Sequence, residues 1–306
     1  MGSGELAGEL LARCDFPPAG AGPVAMAVSG GPDSLALVVL ARQAGLDGVA
    51  IHVDHGLRDG SAGEAGVVAE AAARFSFDFE SQAVEVGAGP DLEARARRAR
   101  YSVLPPGVLT GHTLDDQAET IVLNLLRGAA LDGLAGIRTR TAARIRRPLL
   151  GLRRLETAAL CRASGLTPVL DRSNEDARFR RNRVRAEVLP LLCDVAGRDV
   201  APVFARQAAL LAADADLLDD LASTVDPTDV RALRAAPVAL ARRAVRAWLR
   251  SDQAFGDEES HPPSSDEVTR VLAVADGRAK ACELAGGRRV QRRAGRLQVV
   301  LPTPAR

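Results

Sequence analysis

Six consecutive residues, Ser29-Gly30-Gly31-Pro32-Asp33-Ser34, join two hydroxyls, two glycines and a carboxylate directly after an apolar run at Val24–Val28. Pro32 opens an apolar segment of helical spacing through Leu35, Val38, Val39 and Ala41. Proline suits a first helical position, because the N–H it lacks would have no partner there. The pattern predicts strand, loop and helix, with free backbone N–H groups and the positive end of a helix dipole converging on the loop. That is an anion site, and phosphate is its usual occupant. Gly30 and Gly31 let the chain approach the anion with no Cβ in the way. Asp33 is out of place beside phosphate unless Mg²⁺ bridges the two. A Walker A loop would need a lysine here, and Lys280 is the only lysine in the chain. A G-x-G-x-x-G dinucleotide motif is also absent.

A second set lies downstream. His112, Asp115, Asp116 and Glu119 open a segment of helical spacing, where Asp116 and Glu119 share a face and so do Asp115 and Glu119. Acids in a first helical turn ordinarily complement the dipole. Three of them beside a histidine exceed that need, and opposite a phosphate they suit either Mg²⁺ or a cationic co-substrate. Arg95, Arg97, Arg98 and Arg100 lead into Tyr101, and Arg97 and Arg100 share a face fit for a phosphate or a leaving pyrophosphate. In an arginine-biased chain such a run is also often a solvated face.

His52, Asp54 and His55 lie along an expected strand; a metal triad is conceivable, but successive side chains there point to opposite faces, which disfavours it. His52 and Asp54 are expected to put a polar group on a ribose or base instead. Within Asp171–Pro190, Ser173 or Asn174 is expected to cap a helix with Arg178, Arg181 and Arg185 down one side. Such a stripe suits an RNA backbone.

These residues need a scaffold. Strands are expected at Val24–Val28, Gly48–Val53, Phe77–Val84 and Val108–Thr110, and helices at Asp33–Gln43, Ala62–Phe75, Leu92–Leu104 and Asp115–Leu126. Such alternation implies a parallel sheet covered on both faces, with ligands at the carboxyl ends of its strands. Ser29–Ser34, Asp54–Arg58 and Gly111–Asp116 each follow a strand directly. Residues 153–222 read as helical with no strand, including a long helix at Asp199–Leu221. Beyond them lie helices at Val230–Leu249 and Asp266–Val274, then short β segments at Ala281–Leu284, Arg288–Arg292 and Arg296–Leu301. The expected fold class is α/β, a parallel-sheet nucleotide domain over 1–215 with a helical extension, followed by a smaller α+β domain over 216–306.

A formal net charge of +1 excludes a globally basic nucleic-acid binder while leaving room for a local patch. Cys14, Cys161, Cys193 and Cys282 are widely spaced with no C-x-x-C, which speaks against zinc and iron–sulfur ligation. Met1–Leu11 carries acids rather than a basic leader, and no apolar stretch approaches the roughly 18 residues of a membrane span. The expectation is a cytoplasmic protein with no membrane partner.

Ser-Gly-Gly-x-Asp-Ser after a strand resembles the PP-loop of the N-type ATP pyrophosphatases, an adenine nucleotide α-hydrolase-like fold. Within that superfamily, Gly111–Thr120, Leu126-Arg127-Gly128, Gly133–Ile137, Arg147-Pro148-Leu149-Leu150 and Asp171–Pro190 resemble the tRNA(Ile)-lysidine synthases. Val53–Arg58 and Glu93–Arg97 fit as well, so the likeness runs from about Val24 to Leu192. The resemblance implies ATP and Mg²⁺ as cofactors, free L-lysine as co-substrate and the isoleucine tRNA with a CAU anticodon as partner. It implies a cytidine activated at O2 as an adenylate with loss of pyrophosphate, then attacked at C2 by the lysine ε-amine with loss of AMP. A homodimer is compatible with it.

Combined with that resemblance, Ser29, Gly30, Gly31, Pro32, Asp33, Ser34, His52 and Asp54 are expected to hold the nucleotide, with Asp33 on the metal. Asp33, His112, Asp116, Glu119 and Arg97 are expected at the chemistry. Arg97, Arg100, Asp116, Glu119, Asn174, Arg178, Arg181 and Arg185 are expected on the other substrates. A tRNA thiolase of the same superfamily is the alternative, against which the isolated cysteines argue. Amidotransferase relatives would not need the basic Asp171–Pro190 segment, and a non-catalytic nucleotide sensor would not need its acids.

Overall fold

The computed structural model describes residues 2–54, 56, 61–87, 89, 92–139, 145–169, 176, 178–251 and 263–301. They divide into two compact units, Met1–Leu211 and Ala212–Arg306. In the first, five strands form one parallel sheet: β1 (Val24–Ala27), β2 (Gly48–Asp54), β3 (Asp78–Ala83), β4 (Val108–Thr110) and β5 (Ile145–Arg146). The spatial order is β3-β2-β1-β4-β5. The chain therefore winds outward from β1 in one direction, then returns to add β4 on its other side. The crevice between β1 and β4 is the switch point where open α/β sheets bind ligands. β5 was not among the expected strands; at two residues it is too short to show any alternation.

Helices α1 (Ser3–Leu11), α2 (Pro32–Gln43), α3 (Ser61–Arg74), α4 (Leu92–Val103), α5 (Leu114–Leu126), α6 (Leu131–Leu134) and α7 (Arg154–Ala163) complete the nucleotide unit. α2 is buried from Ser34 to Ala41, and Leu35, Leu37 and Leu40 have no solvent exposure. Each such leucine contributes about 1.5–3 kcal/mol through burial, so the start of α2 is held rigidly under β1. Two glycines set the crevice. Gly30 has φ +83, and a Cβ there would lie 3.1 Å from Val169 Cγ2. A Cβ on Gly111 would lie 2.7 Å from the Asp33 carbonyl oxygen, so only glycine lets the β4–α5 turn press against the phosphate loop.

Past α7 come α8 (Arg180–Arg183), a π-helical turn at Val184–Val188, α9 (Leu189–Ala196) and α10 (Ala201–Ser223). Pro190 explains the π turn: it has no N–H for the Ala186 carbonyl and its ring crowds that carbonyl, so the helix widens. The second unit contains α11 (Val230–Ala235), α12 (Val238–Ser251) and α13 (Ser265–Ala275). The single helix expected over Val230–Leu249 is two, broken before Pro237. β6 (Ala281–Glu283), β7 (Arg289–Arg293) and β8 (Arg296–Val300) form an antiparallel sheet packed on α13 through Val268, Val271, Val290 and Leu297. Among the described residues no helix is long and apolar enough to cross a membrane. Ser173, Asn174 and His55 lie outside the described residues.

Candidate active site

The phosphate loop is braced from within. Ser34 Oγ donates to the Gly31 carbonyl (2.9 Å) and accepts from the Ser29 N–H (3.1 Å), with Ser29 Oγ 3.2 Å away. Ser34 therefore shapes the loop. The Val169 N–H bonds the Gly30 carbonyl and Cys161 Sγ donates to that of Pro32, tying the loop to neighbouring segments. His52 is buried at the carboxyl end of β2, where its Nδ1–H donates to the Val28 carbonyl at 3.1 Å. That bond fixes the tautomer and leaves Nε2 as a buried acceptor with no partner among the described residues. Asp54 accepts the Gly56 N–H at 2.9 Å.

Facing the loop stands a cluster of carboxylates and guanidiniums. Asp33 comes from α2, and Asp116 and Glu119 come from the first turns of α5. Arg154, the first residue of α7, reaches all three: Nε lies 3.3 Å from Asp33 Oδ2, Nη2 2.9 Å from Asp116 Oδ1 and Nη1 3.0 Å from Glu119 Oε1. Thr157 Oγ1 donates to Asp33 Oδ1. Arg181 adds bonds to Glu119 (2.6 Å) and Asp116 (2.9 Å), and Arg185 holds Glu119 at 2.6 and 3.2 Å. Asp116 Oδ2 also caps α5 by accepting from the Thr113 N–H and hydroxyl. Three carboxylates thus face three guanidiniums, and Glu119 has no solvent exposure.

Electrostatics follow from this balance. Burial works to raise the Asp116 and Glu119 carboxyls, but the arginines outweigh it, and both sit below their usual values. Asp33 goes the other way: burial raises it beyond what Thr157 and Arg154 offset. Burial drives the His112 imidazole well below its usual value, with Arg147, Arg97 and Arg181 reinforcing the shift against Asp116. His112 is therefore neutral at physiological pH, with Nδ1 2.8 Å from Thr110 Oγ1. Burial pushes the Cys14 and Cys161 thiols up to about 12, so neither supplies a thiolate.

The acids and arginines expected at the chemistry and on the other substrates fall into three groups. Asp33, Asp116, Glu119, Arg181 and Arg185 meet in the cluster. Arg97 stacks on Tyr101 at 5.2 Å, and Arg97 and Arg100 lie close enough for their charges to interact. Arg178 stands apart, 88 % exposed at its side chain and paired with Asp176 at 2.7 Å. The expected stripe of Arg178, Arg181 and Arg185 is therefore split, two of its members turning inward onto acids.

Sequence reasoning missed Arg154 and Thr157. A signal existed, because an arginine pair at a helix start opposes the dipole and needs acids to justify it. Arg153 meets Asp115 at 2.9 Å. Asp115 also accepts the Arg154 N–H at 2.7 Å, so it anchors α7. Arg147, directly after β5, is buried, donates to the Arg138 carbonyl at 2.6 Å and has an Nε with no partner among the described residues.

Comparison with known proteins bears on this geometry. Residues 9–192 match the PP-loop domain family, and residues 229–298 match the TilS substrate binding domain. A tRNA(Ile)-lysidine synthase of Nocardia farcinica is 47 % identical over 76 % of this chain and 77 % of its own. Those of Mycobacterium bovis (41 %; 90 % and 88 % covered) and Salinispora tropica (42 %; 92 % and 91 %) align over nearly the full length. Among solved structures, a U34-tRNA thiolase of Methanococcus maripaludis with its [4Fe-4S] cluster superposes with a TM-score of 0.52 at 16 % identity. It covers 67 % of this chain and 76 % of that one, a likeness of fold. In this chain all four cysteines are free thiols. A PP-loop domain carrying ATP use, a TilS substrate binding domain behind it and relatives of this identity over most of their length leave one assignment: the chain belongs to the tRNA(Ile)-lysidine synthases, ligases that form lysidine on tRNA.

Proposed function

We propose that the cluster of Asp33, Asp116 and Glu119 joins a nucleotide end to an amine end. The substrates are ATP, free L-lysine and the wobble cytidine of the isoleucine tRNA with a CAU anticodon. In the first step cytosine O2 attacks the α-phosphorus, the bond to the β-phosphate breaks and pyrophosphate leaves. The α2 N-terminus and the loop N–H groups receive the developing negative charge. In the second step the lysine ε-amine, having given up a proton, attacks C2; the C2–O2 bond breaks and AMP leaves. The observation that carries the reading is the meeting of a phosphate-loop aspartate with a buried acid pair on α5.

Asp33 suits Mg²⁺ held mainly by phosphate oxygens, since Mg²⁺ with nucleotides usually takes only one or two carboxylates from the protein. Among the described residues no group of three His, Cys, Asp or Glu forms a cage without such help. When bound, the ion would neutralise charge on the leaving pyrophosphate. Asp116 and Glu119 would hold the lysine ammonium and take its proton. Because three guanidiniums already balance these acids, the ammonium must displace one. Among the described residues the ion pairs of Arg181 and Arg185 are with Asp116 and Glu119 alone, so they are the ones to yield, with RNA phosphates as alternative partners. His52 Nε2, an acceptor, suits a nucleobase N–H. Arg97, Arg100 and Arg178, together with Asn174, would serve RNA or pyrophosphate oxygens. Cytoplasmic location follows from the tRNA substrate.

The test measures pyrophosphate release and radiolabelled lysine transfer with isoleucine and methionine tRNAs that share CAU. Lysine should enter only the former, and Asp33→Asn should stop pyrophosphate release while the fold persists. Wild-type release by that variant would overturn the loop assignment.

A further inference from the structure

We propose that Arg154 is a positioning residue for both steps, fixing the spacing between the phosphate-loop aspartate and the α5 acid pair; the amine half rests on the reading that Asp116 and Glu119 hold lysine. Its place at a helix start calls for acidic partners but does not say which. The geometry does.

One planar guanidinium directs Nε to Asp33, Nη2 to Asp116 and Nη1 to Glu119, so all three of its nitrogens are taken up by carboxylates from two helices. No other described side chain bonds both Asp33 and the α5 acids. Arg154 is also fixed from behind, because its own N–H donates to Asp115 at 2.7 Å and Arg153 grips the same carboxylate. Thr157, one turn further along α7, bonds Asp33 as well. α7 thus presents a rigid template, and the carboxylates are registered against it.

The consequence concerns distance. Attack requires reacting atoms within ~3–3.5 Å in line, and a misplacement of ~1 Å costs on the order of a hundredfold. The adenylate forms on the Asp33 side of the cluster and the amine arrives on the Glu119 side. Without Arg154 the three carboxylates would repel one another, and their two helices would lose the one described side chain that bonds the acids of both. Lysine is not equivalent here: an ammonium keeps the charge but has no fork that meets three fixed carboxylates.

The experiment uses the full chain with its tRNA. Arg154→Ala and Arg154→Lys are measured for adenylate formation and for lysine transfer, with melting curves for each. Arg42→Gln, on an exposed pair at the far end of α2, is the control. Both steps should fall at least tenfold in Arg154→Ala and in Arg154→Lys, and added methylguanidinium should restore both steps in Arg154→Ala. Ammonium ion at the same concentration should not. If Arg154→Ala does not fold, a folded Arg154→Lys must still lose both steps at least tenfold, and it refutes the proposal if it does not. Folded Arg154→Ala with both steps intact, or with a loss that methylguanidinium leaves untouched, also overturns it. Glu119→Gln, run alongside, separates the two ideas. If it leaves the lysine KM and transfer unchanged, the amine reading fails, while the Arg154 effect on adenylate formation stands or falls by itself.

Discussion

Replacing Glu119 by glutamine removes one negative charge and almost nothing else from the middle of the cluster. Glu119 has no solvent exposure and accepts from Arg154 at 3.0 Å, Arg181 at 2.6 Å and Arg185 at 2.6 and 3.2 Å. Removing one partner of a buried ion pair costs about 3–5 kcal/mol. Glutamine keeps one acceptor oxygen, so the loss should lie nearer the ~1.5–3 kcal/mol of a charge-assisted hydrogen bond. For a unit the size of Met1–Leu211 that lowers the melting temperature by roughly 3–12 °C. At 25 °C the variant stays folded, and the same energy taken from the ammonium slows lysine transfer about ten- to a hundredfold. Adenylate formation, which the proposal places at the Asp33 end, should persist, so adenylated RNA accumulates. Adding Arg185→Gln restores the charge balance and should recover part of the melting temperature without recovering transfer. An unchanged melting curve would refute the claim that the arginines stabilise Glu119. Loss of both steps together would move Glu119 to the nucleotide end.

Acid should weaken the first unit in a defined window. Asp115, Asp116 and Glu119 titrate below their usual 3.8, 3.8 and 4.5, so their stabilisation is present above those values and is lost as pH falls below them. Asp33 is raised and opposes this, its contribution fading as pH rises through its folded value. Urea titrations at pH 7 and pH 3.5 should therefore show a drop that is smaller in Glu119→Gln; equal drops would refute the assignment. A variant with all four cysteines changed to serine should retain lysine transfer, after allowance for weaker packing at buried Cys161. Loss of activity in that folded variant, with iron or persulfide on the wild-type enzyme, would favour thiolation. In the second unit Arg288 is buried and Arg296 pairs with Asp226, whereas Arg289, Arg292 and Arg293 are exposed on or beside the β7–β8 hairpin. Changing Arg289 and Arg293 to glutamine should weaken tRNA binding and flatten its salt dependence by about 0.7–0.9 in slope for each phosphate no longer neutralised. Unchanged gel-shift titrations would make those arginines structural.

The strand–loop–helix around Ser29–Ser34 was legible because it is local. Ser29–Ser34 lies between a strand and a helix whose periods change within a few residues, and Gly30, with its positive φ, and Pro32, at the start of α2, serve the turn they occupy. The alternation of β1 to β4 with helices predicted the parallel sheet for the same reason. The partition of the arginines was not legible. Arg178, Arg181 and Arg185 look equivalent on a helical wheel, but α8 begins only at Arg180 and the helix then widens before Pro190, which changes where each side chain falls. Arg154 could not be found by period at all, since its partners are 121, 38 and 35 positions away.

Such a cluster is poor economy as a way of holding a fold together. Buried ion pairs commonly do no better than well-packed apolar residues of the same volume, because desolvating the charges offsets their attraction. The first unit already has an ample apolar core around α2. The chain instead sets three acids and three guanidiniums against the phosphate loop, at the switch point of its sheet. There the charge does what packing cannot: the arginines hold Asp116 and Glu119 below their usual pKa values, so the pair stays ionised although Glu119 is fully buried, which is what the proposed ammonium site needs. If the proposed cation binds there, Arg154 would keep its hold on Asp33, while Arg181 and Arg185 have, among the described residues, no acid partner but Asp116 and Glu119. On the proposed reading, the arginine that binds both ends would set geometry, and the arginines that bind one end would set access.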